Sequence, residues 1–489
     1  MRNRQFFLTH LMKLLLQILL YCSLFYSFFR ILSLTNPQML NLSRTAATTI
    51  ATFGVTLFIL TLVYGGFDIG EKKSRSVFSS VLIVIFFSDI ITYVQLQIMN
   101  VNPANNPTLI LWGEDLFLLM AVMLLQVVLT YVFVSLGYYL YFKINPPQRC
   151  CIITSSQEMA DHVAKKIASF RQKFKLCEVI HYECPDVKET IRRHDTIFLA
   201  GIPDTEESQL KNYCYRRHKI MYLLAELDDV IISTSEQNVL DDTPFLYIRP
   251  AEPTLFQYLI KRFMDVSISF LGLIVTSPII VVAAICNFLL EGRPIFFRQK
   301  RATLHGKVFE IIKFRTMYME DSAEGAEVVS AQENDARVTP FGAFLRKYRI
   351  DELPQLYNVL RGDMSIVGPR PEMLENLERY EMEVPEFKYR QQMKAGITGL
   401  AQIDGKYNTT PKDKAILDLL YIENFSTVMD LKLILRTITV FFRRDSTEGF
   451  SSRKSVNCPV MRTEALPVTE DKPASTPEPK KPGSKATAT

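Results

Sequence analysis

The sequence is organised around residues 346–355, which read Arg346-Lys347-Tyr348-Arg349-Ile350-Asp351-Glu352-Leu353-Pro354-Gln355. Two adjacent carboxylates, Asp351 and Glu352, lie here among positive charges. Pro354 suits the first turn of a helix running on through Leu360. In isolation this pattern favours Asp351 as a helix N-cap and Glu352 as a partner of the helix dipole. The same position would keep a carboxylate ionised, ready to attack phosphorus or bind a metal, so both interpretations stay open.

A predicted strand lies upstream of this pair, at residues 308–316. Alternation along the strand places Lys313 and Arg315 on one face, about 7 Å apart, close enough to hold one diphosphate. The alternative is a solvated strand edge.

Two further arginines frame the pair. Arg346 precedes Asp351 by five residues, and Arg370 lies between two prolines that fix the backbone on either side of it. That guanidinium is presented with little entropy left to lose, unless the prolines only stiffen a loop. Together these residues predict a phosphate-handling site.

The first 145 residues predict a block of four membrane-spanning helices. Four apolar runs, at 11–34, 46–64, 77–99 and 116–142, are each near the ~20 residues that cross a bilayer. Lys and Arg are concentrated before the first run, between the second and third, and after the fourth, so both ends of the block belong in the cytoplasm. Asp89 lies inside the third run, and we expect it to face the bundle and pair with Ser, Thr or Tyr.

Residues 146–250 predict a small parallel α/β domain. Strands are expected at 150–154, 176–181, 196–200, 220–224 and 230–233, alternating with helices. The first strand-to-helix turn has no glycine, so the domain is Rossmann-like in shape only, with a binding or dimerising role and a homodimer as one outcome. A zinc site is a weak alternative, because the spacing of its candidate ligands matches no common template; these are Cys177, His181, Cys184, Cys214 and His218.

The uncharged run 266–290 is long enough to span a membrane, yet positive charges flank both of its ends. Pro278 near its middle removes a helix hydrogen bond, and Thr276 and Ser277 can satisfy the freed backbone groups. We therefore expect a re-entrant helix that enters one leaflet, bends at Ser277-Pro278 and returns. Residues 428–442 predict an interfacial amphipathic helix, and residues 448–489 a disordered tail.

A net charge of +5 is mild, with basic residues scattered or flanking apolar runs. This distribution suits a membrane surface and anionic phosphates better than a nucleic-acid groove, so no nucleic-acid partner is expected.

Residues 261–444 resemble the bacterial sugar transferases, the polyprenyl-phosphate sugar-1-phosphate transferases also called monotopic phosphoglycosyl transferases. The resemblance rests on the order and spacing of short motifs: Lys261-Arg262-x-x-Asp265, Ser277-Pro278, Phe297-x-Gln299-x-Arg301, Lys313-Phe314-Arg315-Thr316-Met317, Asp351-Glu352-Leu353-Pro354-Gln355, Asn358-Val359-Leu360-x-Gly362-Asp363-Met364-Ser365, Val367-Gly368-Pro369-Arg370-Pro371 and Gly396-Ile397-Thr398-Gly399-Leu400. A further segment containing Asp418 and Tyr421 is similar to the family's Leu-Asp-x-x-Tyr-Ile-Glu-Asn.

The long form of that family carries membrane helices and a Rossmann-like domain before an α+β monotopic catalytic domain, here 251–447. The resemblance implies Mg²⁺ as cofactor and a covalent mechanism, with Asp351 as nucleophile and Glu352 beside it near the metal. It also implies that Arg346 and Arg370 contact phosphate or nucleotide. Asp418 could help to shape the site, as could Gln299 and Arg301, although an exposed helix acid at 418 could equally have no role.

Two positions depart from the family pattern: Tyr348-Arg349-Ile350 replaces Thr-Ser-Leu, and Arg301-Ala302-Thr303 replaces Arg-x-Gly. The acceptor or sugar pocket is therefore expected to differ. The resulting hypothesis is sugar-1-phosphate transfer from a UDP-sugar to polyprenyl phosphate at the cytoplasmic face of a bacterial inner membrane, initiating polysaccharide synthesis. A single-displacement transferase and a non-catalytic membrane scaffold are the alternatives.

Overall fold

The computed structural model describes residues 2–41, 43–101, 109, 111, 113–249, 252–318, 337–405, 409–441 and 458–464. The chain divides into two compact units. The first comprises Met1–Pro146 and Ala225–Lys454, and the second comprises Pro147–Leu224 and Ser455–Thr489. Residues 225–249, which the predicted boundary at 250 grouped with the α/β domain, thus cluster with the first unit.

The N-terminal part of the first unit consists of four long helices: α1 (Arg2–Leu32), α2 (Arg44–Tyr64), α3 (Ser74–Met99) and α4 (Glu114–Ile144). All four are long and apolar enough to cross a membrane, which marks the chain as a membrane protein. Asp89 on α3 is fully buried in this block, as expected. None of the described Ser, Thr or Tyr hydroxyls hydrogen-bonds to its carboxylate.

The second unit is built on a four-stranded parallel sheet. Its elements are β1 (Gln148–Thr154), α5 (Gln157–Ala168), β2 (Phe174–His181), α6 (Val187–Arg193), β3 (Thr196–Ala200), α7 (Asp204–Arg216) and β4 (Ile220–Leu223). The strand order is β2-β1-β3-β4, and all three pairings are parallel. The alternation of apolar runs and charged helices therefore predicted this sheet well.

The fifth predicted strand, 230–233, is instead part of helix α8 (Leu227–Ser233). A capping box between Glu226 and Asp229 starts this helix. Leu227, Val230 and Ile231 then share one helical face and pack in a cluster with the buried ring of Phe387. This packing explains why α8 clusters with the first unit.

A short C-terminal segment, residues 458–464, is also ordered. Arg462 forms a parallel bridge with Ile180, so the segment lies along the free edge of β2. The predicted disordered tail, 448–489, is therefore corrected at these residues. Their apolar side chains supply the reason, because Cys458 and Met461 pack against the core of the second unit.

The remaining elements form the C-terminal part of the first unit. This region holds the predicted phosphate-handling site and is called the catalytic part. They are the hairpin β5 (Glu236–Leu240) and β6 (Thr243–Tyr247), helix α9 (Leu255–Glu291), the hairpin β7 (Phe296–Ala302) and β8 (Val308–Phe314), α10 (Pro340–Lys347), α11 (Gln355–Arg361), β9 (Ser365–Val367), α12 (Leu374–Glu383), β10 (Gly396–Thr398), α13 (Leu400–Asp404), α14 (Pro411–Glu423) and α15 (Thr427–Phe441). Its main core joins β8, α11, β9, α14 and α15.

Helix α9 is one element of 37 residues with Pro278 inside it. The Ser277 hydroxyl donates a hydrogen bond of 2.8 Å to the carbonyl of Ile274, the group that Pro278 cannot serve. The sequence predicted this compensation. The bend and return of the helix stay a prediction.

Both ends of α9 are fixed to the catalytic part, through different elements. Near its beginning, the Lys261 ammonium lies 2.6 Å from the Asp430 carboxylate on α15 and donates to the Val367 carbonyl at 2.9 Å. Near its end, the Asn287 amide donates to the Arg315 carbonyl at 2.8 Å. A helix fixed in this way runs along the catalytic part rather than away from it.

Helix α15 does more than the predicted interfacial helix at 428–442. Its Leu433 is fully buried in the catalytic core. Leu435 packs with Ile83 and Val84 of α3, and the Tyr64 hydroxyl of α2 donates to the Leu435 carbonyl at 3.0 Å. Because opposite faces of α15 are covered by protein, the helix joins the N-terminal block to the catalytic part.

Candidate active site

The two adjacent carboxylates lie in a 3₁₀ turn, Ile350–Glu352, between α10 and α11. The N-cap positions of this turn and of α11 are Arg349 and Pro354, so Asp351 is not the N-cap that the isolated pattern favoured. Arg349 has a φ of 55°, a left-handed conformation that is uncommon for a residue with a side chain. Because of this turn, Asp351 and Glu352 lie between the regular helices α10 and α11.

Glu352 is held by two cations. Its Oε1 atom accepts a 2.9 Å hydrogen bond from the Arg370 guanidinium and lies 3.6 Å from the Lys313 ammonium. Burial alone would raise the pKa of Glu352, but Arg370 and Lys313 hold it well below its ordinary value. Glu352 in turn raises the pKa of Arg370. This carboxylate is therefore a fixed anion that fills the space between the two cations.

Asp351 has a different environment. Its half-buried carboxylate makes no hydrogen bond or ion pair with any residue in the described ranges. Burial and the neighbouring charge of Glu352 raise its pKa, against the opposing charges of Lys313, Arg346 and Arg370. A carboxylate with a raised pKa is more basic and a better nucleophile than an ordinary aspartate. The pair thus divides into one fixed and one free carboxylate.

Arg346, on α10, lies close enough to Asp351 to lower its pKa. Its Nε atom donates to the Thr316 hydroxyl at 2.8 Å, which orients the guanidinium. The structure therefore brings Arg346 to the carboxylate pair together with Lys313 and Arg370.

Arg315 lies elsewhere. Its guanidinium donates to the carbonyls of Glu291, Gly292 and Arg293 at the C-terminal end of α9, with Nη1 to the Arg293 oxygen at 3.0 Å. The side chain is 8% exposed. Strand β8 ends at Phe314, so the alternation that placed Arg315 beside Lys313 does not extend to it. Arg315 therefore caps the C-terminal end of α9 in this structure.

The buried ion pair between Arg390 and Asp418 supports the backbone of Arg370. The Arg390 guanidinium donates to the Arg370 carbonyl at 2.8 Å and to the Asp418 carboxylate at 3.0 Å. Asp418 is 1% exposed, which corrects the expectation of an exposed helix acid. Burial raises the pKa of Asp418, while Arg390 acts in the opposite direction. Asp418 therefore influences Arg370 through Arg390, which contacts both residues.

Gln299 and Arg301 lie on β7, and Arg301 is next to Arg370. Arg301 donates to Gln299 Oε1 at 2.7 Å and to the Pro371 carbonyl at 3.2 Å. Burial, together with the positive charge of Arg370, lowers the pKa of Arg301 to about 10. A buried guanidinium beside another cation is well placed to receive an anion.

A pocket adjoins the pair on the side of Glu352 and Arg370. Its other lining residues include Arg349, Leu353, Leu356, Ile397, Thr398 and Gln402. Sequence reasoning did not identify Arg349 or Arg390 as parts of the site. The departure at 348–350 from the family pattern was the available signal for Arg349, because it marks where this chain differs.

The carboxylate pair also fits the implied cation. Mg²⁺ is commonly held by one or two carboxylates, with waters and substrate phosphates completing the shell. Asp351, with no protein partner in the described ranges, and Glu352 could hold it here. In the second unit, the alternative zinc ligands are not brought together, and Cys184 and Cys214 are buried in its core.

The sequence of this part of the chain matches known proteins. The family model for the bacterial sugar transferases matches residues 256–444. A UDP-glucose:undecaprenyl-phosphate glucose-1-phosphate transferase of Caulobacter vibrioides is 39% identical over 211 residues, covering 42% of this chain and 78% of that protein.

Two longer relatives match over similar stretches. A UDP-N-acetylgalactosamine-undecaprenyl-phosphate N-acetylgalactosaminephosphotransferase of Aeromonas hydrophila is 33% identical over 243 residues, 49% of this chain and 55% of that protein. A UDP-glucose:undecaprenyl-phosphate glucose-1-phosphate transferase of Klebsiella pneumoniae is 43% identical over 183 residues, 36% of this chain and 39% of that protein. With 78% of the Caulobacter relative covered at this identity, the chain belongs to the bacterial sugar transferase family.

Proposed function

We propose that this protein transfers a sugar-1-phosphate from a UDP-sugar to polyprenyl phosphate and releases UMP. The observation that carries the proposal is the divided pair, in which Glu352 is fixed by Arg370 and Lys313 while Asp351 is free among the same cations. The names of the relatives support the substrate classes, since each acts on a UDP-sugar and undecaprenyl phosphate.

In the first step, an Asp351 carboxylate oxygen attacks the β-phosphorus of the UDP-sugar. The bond from that phosphorus to the bridging oxygen breaks, and UMP leaves with the electron pair. Lys313, Arg346 and Arg370 stabilise the charge that builds on the phosphoryl oxygens. Mg²⁺, when bound, supplies further neutralisation of the diphosphate.

In the second step, a phosphate oxygen of the polyprenyl phosphate attacks the phosphorus of the aspartyl-linked sugar phosphate. The acyl-phosphate bond breaks and returns the electron pair to Asp351. The product is a polyprenyl-diphosphate sugar, the starting unit for a surface polysaccharide. The raised pKa of Asp351 favours the attack, and the cations around it favour the departure.

The membrane geometry supports a lipid acceptor. Both ends of α9 contact the catalytic part of the first unit, and positive charges flank its apolar run. A spanning helix would place one of these ends on the far side of the bilayer. We infer that α9 is re-entrant and that the site lies at headgroup depth on the cytoplasmic face of a bacterial inner membrane, where UDP-sugars are made.

The test is UMP release by the purified full chain with Mg²⁺, over a panel of UDP-sugars, with and without undecaprenyl phosphate. The panel includes UDP-glucose and UDP-N-acetylgalactosamine, because relatives are named for both sugars. We expect lipid-dependent turnover on one donor and a stoichiometric burst of UMP without lipid.

Three outcomes separate the alternatives. Turnover without a lipid-free burst would favour a single displacement with a general base. No release from any donor would favour a non-catalytic scaffold. Asp351→Asn should remove the burst and lower turnover by more than about a thousandfold, as loss of a nucleophile does. Full product from that variant would exclude Asp351 as the nucleophile.

A further inference from the structure

Strand β2 forms one edge of the four-stranded sheet in the second unit. An unpaired edge exposes a row of backbone donors and acceptors that can bind another extended segment. Residues 458–464 occupy this edge. The His181 N–H donates to the Arg462 carbonyl at 2.9 Å, and the Arg462 N–H donates to the Val179 carbonyl at 3.0 Å. These bonds are strand addition, a common mode of peptide recognition.

The Arg462 side chain adds charge recognition to the backbone pairing. Its guanidinium donates to the Asp186 carboxylate at 2.9 Å and to the Thr190 hydroxyl at 3.0 Å. The Glu178 carboxylate lies 3.5 Å away, and the Arg462 side chain is only 19% exposed. Charge-assisted hydrogen bonds of this kind are stronger than neutral ones and depend on geometry.

Apolar side chains complete the contact. Met461 and Cys458 pack against the buried cluster that includes Ala160 and Val163 of α5. The Met461 N–H also donates to Gln157 Oε1 at 2.8 Å, at the start of the same helix. Backbone pairing, a charged anchor and apolar packing together define a peptide-binding site on the second unit.

We propose that the second unit is a receptor for the peptide Cys458–Glu464 of its own chain. Residues 442–457 connect α15 to the peptide, and 16 residues reach at most about 55 Å. A linker of this length gives an effective concentration of order millimolar, which favours the same chain over a second copy.

The test uses the full chain with one added cysteine. The Cys458 thiol lies against the Asp161 carboxylate on α5. In an Asp161→Cys variant, mild oxidation should therefore link residues 161 and 458 within one chain, detected by peptide mass spectrometry and by a monomeric band on a non-reducing gel. A covalent dimer through the same two residues would overturn docking in the same chain and assign the occupant to a second copy.

Hydrogen exchange provides a second measurement that needs no cross-link. The amides of His181 and Arg462 should be protected, and Arg462→Glu should speed their exchange and lower the cross-link yield by about tenfold or more, since it removes charge-assisted hydrogen bonds. Arg193→Glu is the matched control, because Arg193 lies on α6 with an exposed side chain and should leave both readouts unchanged. Unprotected amides in the unaltered chain, or Arg462→Glu behaving like Arg193→Glu, would overturn the proposal.

Discussion

At the scale of single residues, the two neighbouring carboxylates differ in what surrounds them. Glu352 is bonded to Arg370, whereas Asp351 has no hydrogen-bond partner among the described residues. Lys313 and Arg370 act on both carboxylates, but the pKa of Glu352 is lowered, whereas burial and the negative charge of Glu352 raise the pKa of Asp351. One residue therefore tunes the reactivity of the next.

This difference predicts the pH dependence of the first step. Because the pKa of Asp351 is raised, the carboxyl holds its proton to a higher pH than an ordinary aspartate, for which the pKa is about 3.9. Only the ionised form attacks, so the rate of the lipid-free UMP burst should fall as pH falls through that raised pKa.

The acid limb is the low-pH fall in the rate of the UMP burst. Replacing Glu352 by glutamine should move this limb to lower pH. The substitution removes a negative charge beside Asp351 and frees Arg370 and Lys313 to act on it, and both effects lower its pKa. Glu378→Gln, at an exposed position on α12, is the control and should leave the limb in place. A limb that stays fixed or moves upward in Glu352→Gln would contradict this account.

The Asp418–Arg390 pair makes a prediction about stability and activity together. Asp418→Ala leaves the buried Arg390 guanidinium with a longer carboxylate contact, to Glu372 at 3.7 Å, and should cost about 3–5 kcal/mol of the free energy of unfolding. The double variant Asp418→Leu, Arg390→Met should recover much of that stability, because both charges of the pair are removed. Glu372 keeps the Lys414 ammonium at 3.1 Å. Denaturant unfolding of the two variants measures the difference.

Turnover should stay low in the double variant, roughly tenfold or more below the unaltered protein, since the Arg370 carbonyl has lost its donor. Recovery of both stability and turnover would show that the pair is only a packing feature.

At the scale of elements, helix α9 and its exposed apolar face determine how the protein meets the bilayer. Leu255 and Leu290, near the two ends, are 75% and 68% exposed. If α9 is re-entrant, cysteines at both positions should react with a membrane-impermeant maleimide only after the cells are permeabilised. The background for this experiment lacks the exposed and half-buried cysteines Cys22, Cys177, Cys286 and Cys458.

Leu109→Cys is the control for this labelling, because the loop between α3 and α4 is expected outside the cytoplasm. It should react in intact spheroplasts. Labelling of residue 290 without permeabilisation, with residue 255 protected, would show that α9 crosses the membrane.

Local pattern predicted some elements well and others poorly. The strands β1 to β4 and the Ser277 hydrogen bond follow from alternation and from the chemistry of proline, which act over a few residues. Arg315, Asp418 and α8 were placed differently because their environment comes from residues far along the chain: the end of α9, Arg390 and Phe387. No local sequence pattern indicated that residues 458–464 would be ordered, because the strand with which they pair, β2, precedes them by almost 300 residues.

At the scale of the whole first unit, α15 links two regions that the sequence analysis treated as separate. Its Leu433 lies in the catalytic core, while the carbonyl of Leu435 accepts a hydrogen bond from Tyr64 in the N-terminal block. Helix α9 adds a second connection, because Lys261 and Asn287 fix it to the catalytic part and we propose that its apolar run enters the membrane. The catalytic part would therefore be attached to the membrane region by α15 and α9, which also contact each other through the Lys261–Asp430 ion pair.

Attachment by two elements predicts how turnover should depend on the chain length of the surrounding lipids. In the proposed re-entrant arrangement, protein contacts set the height of Asp351 above the acyl chains, so a thicker or thinner bilayer should deform around α1 to α4 rather than shift the reacting groups. In nanodiscs made from lipids of increasing chain length, turnover with undecaprenyl phosphate should change little. Removing the Tyr64 hydroxyl in Tyr64→Phe should make turnover depend more steeply on chain length, because the catalytic part then follows the lipid surface.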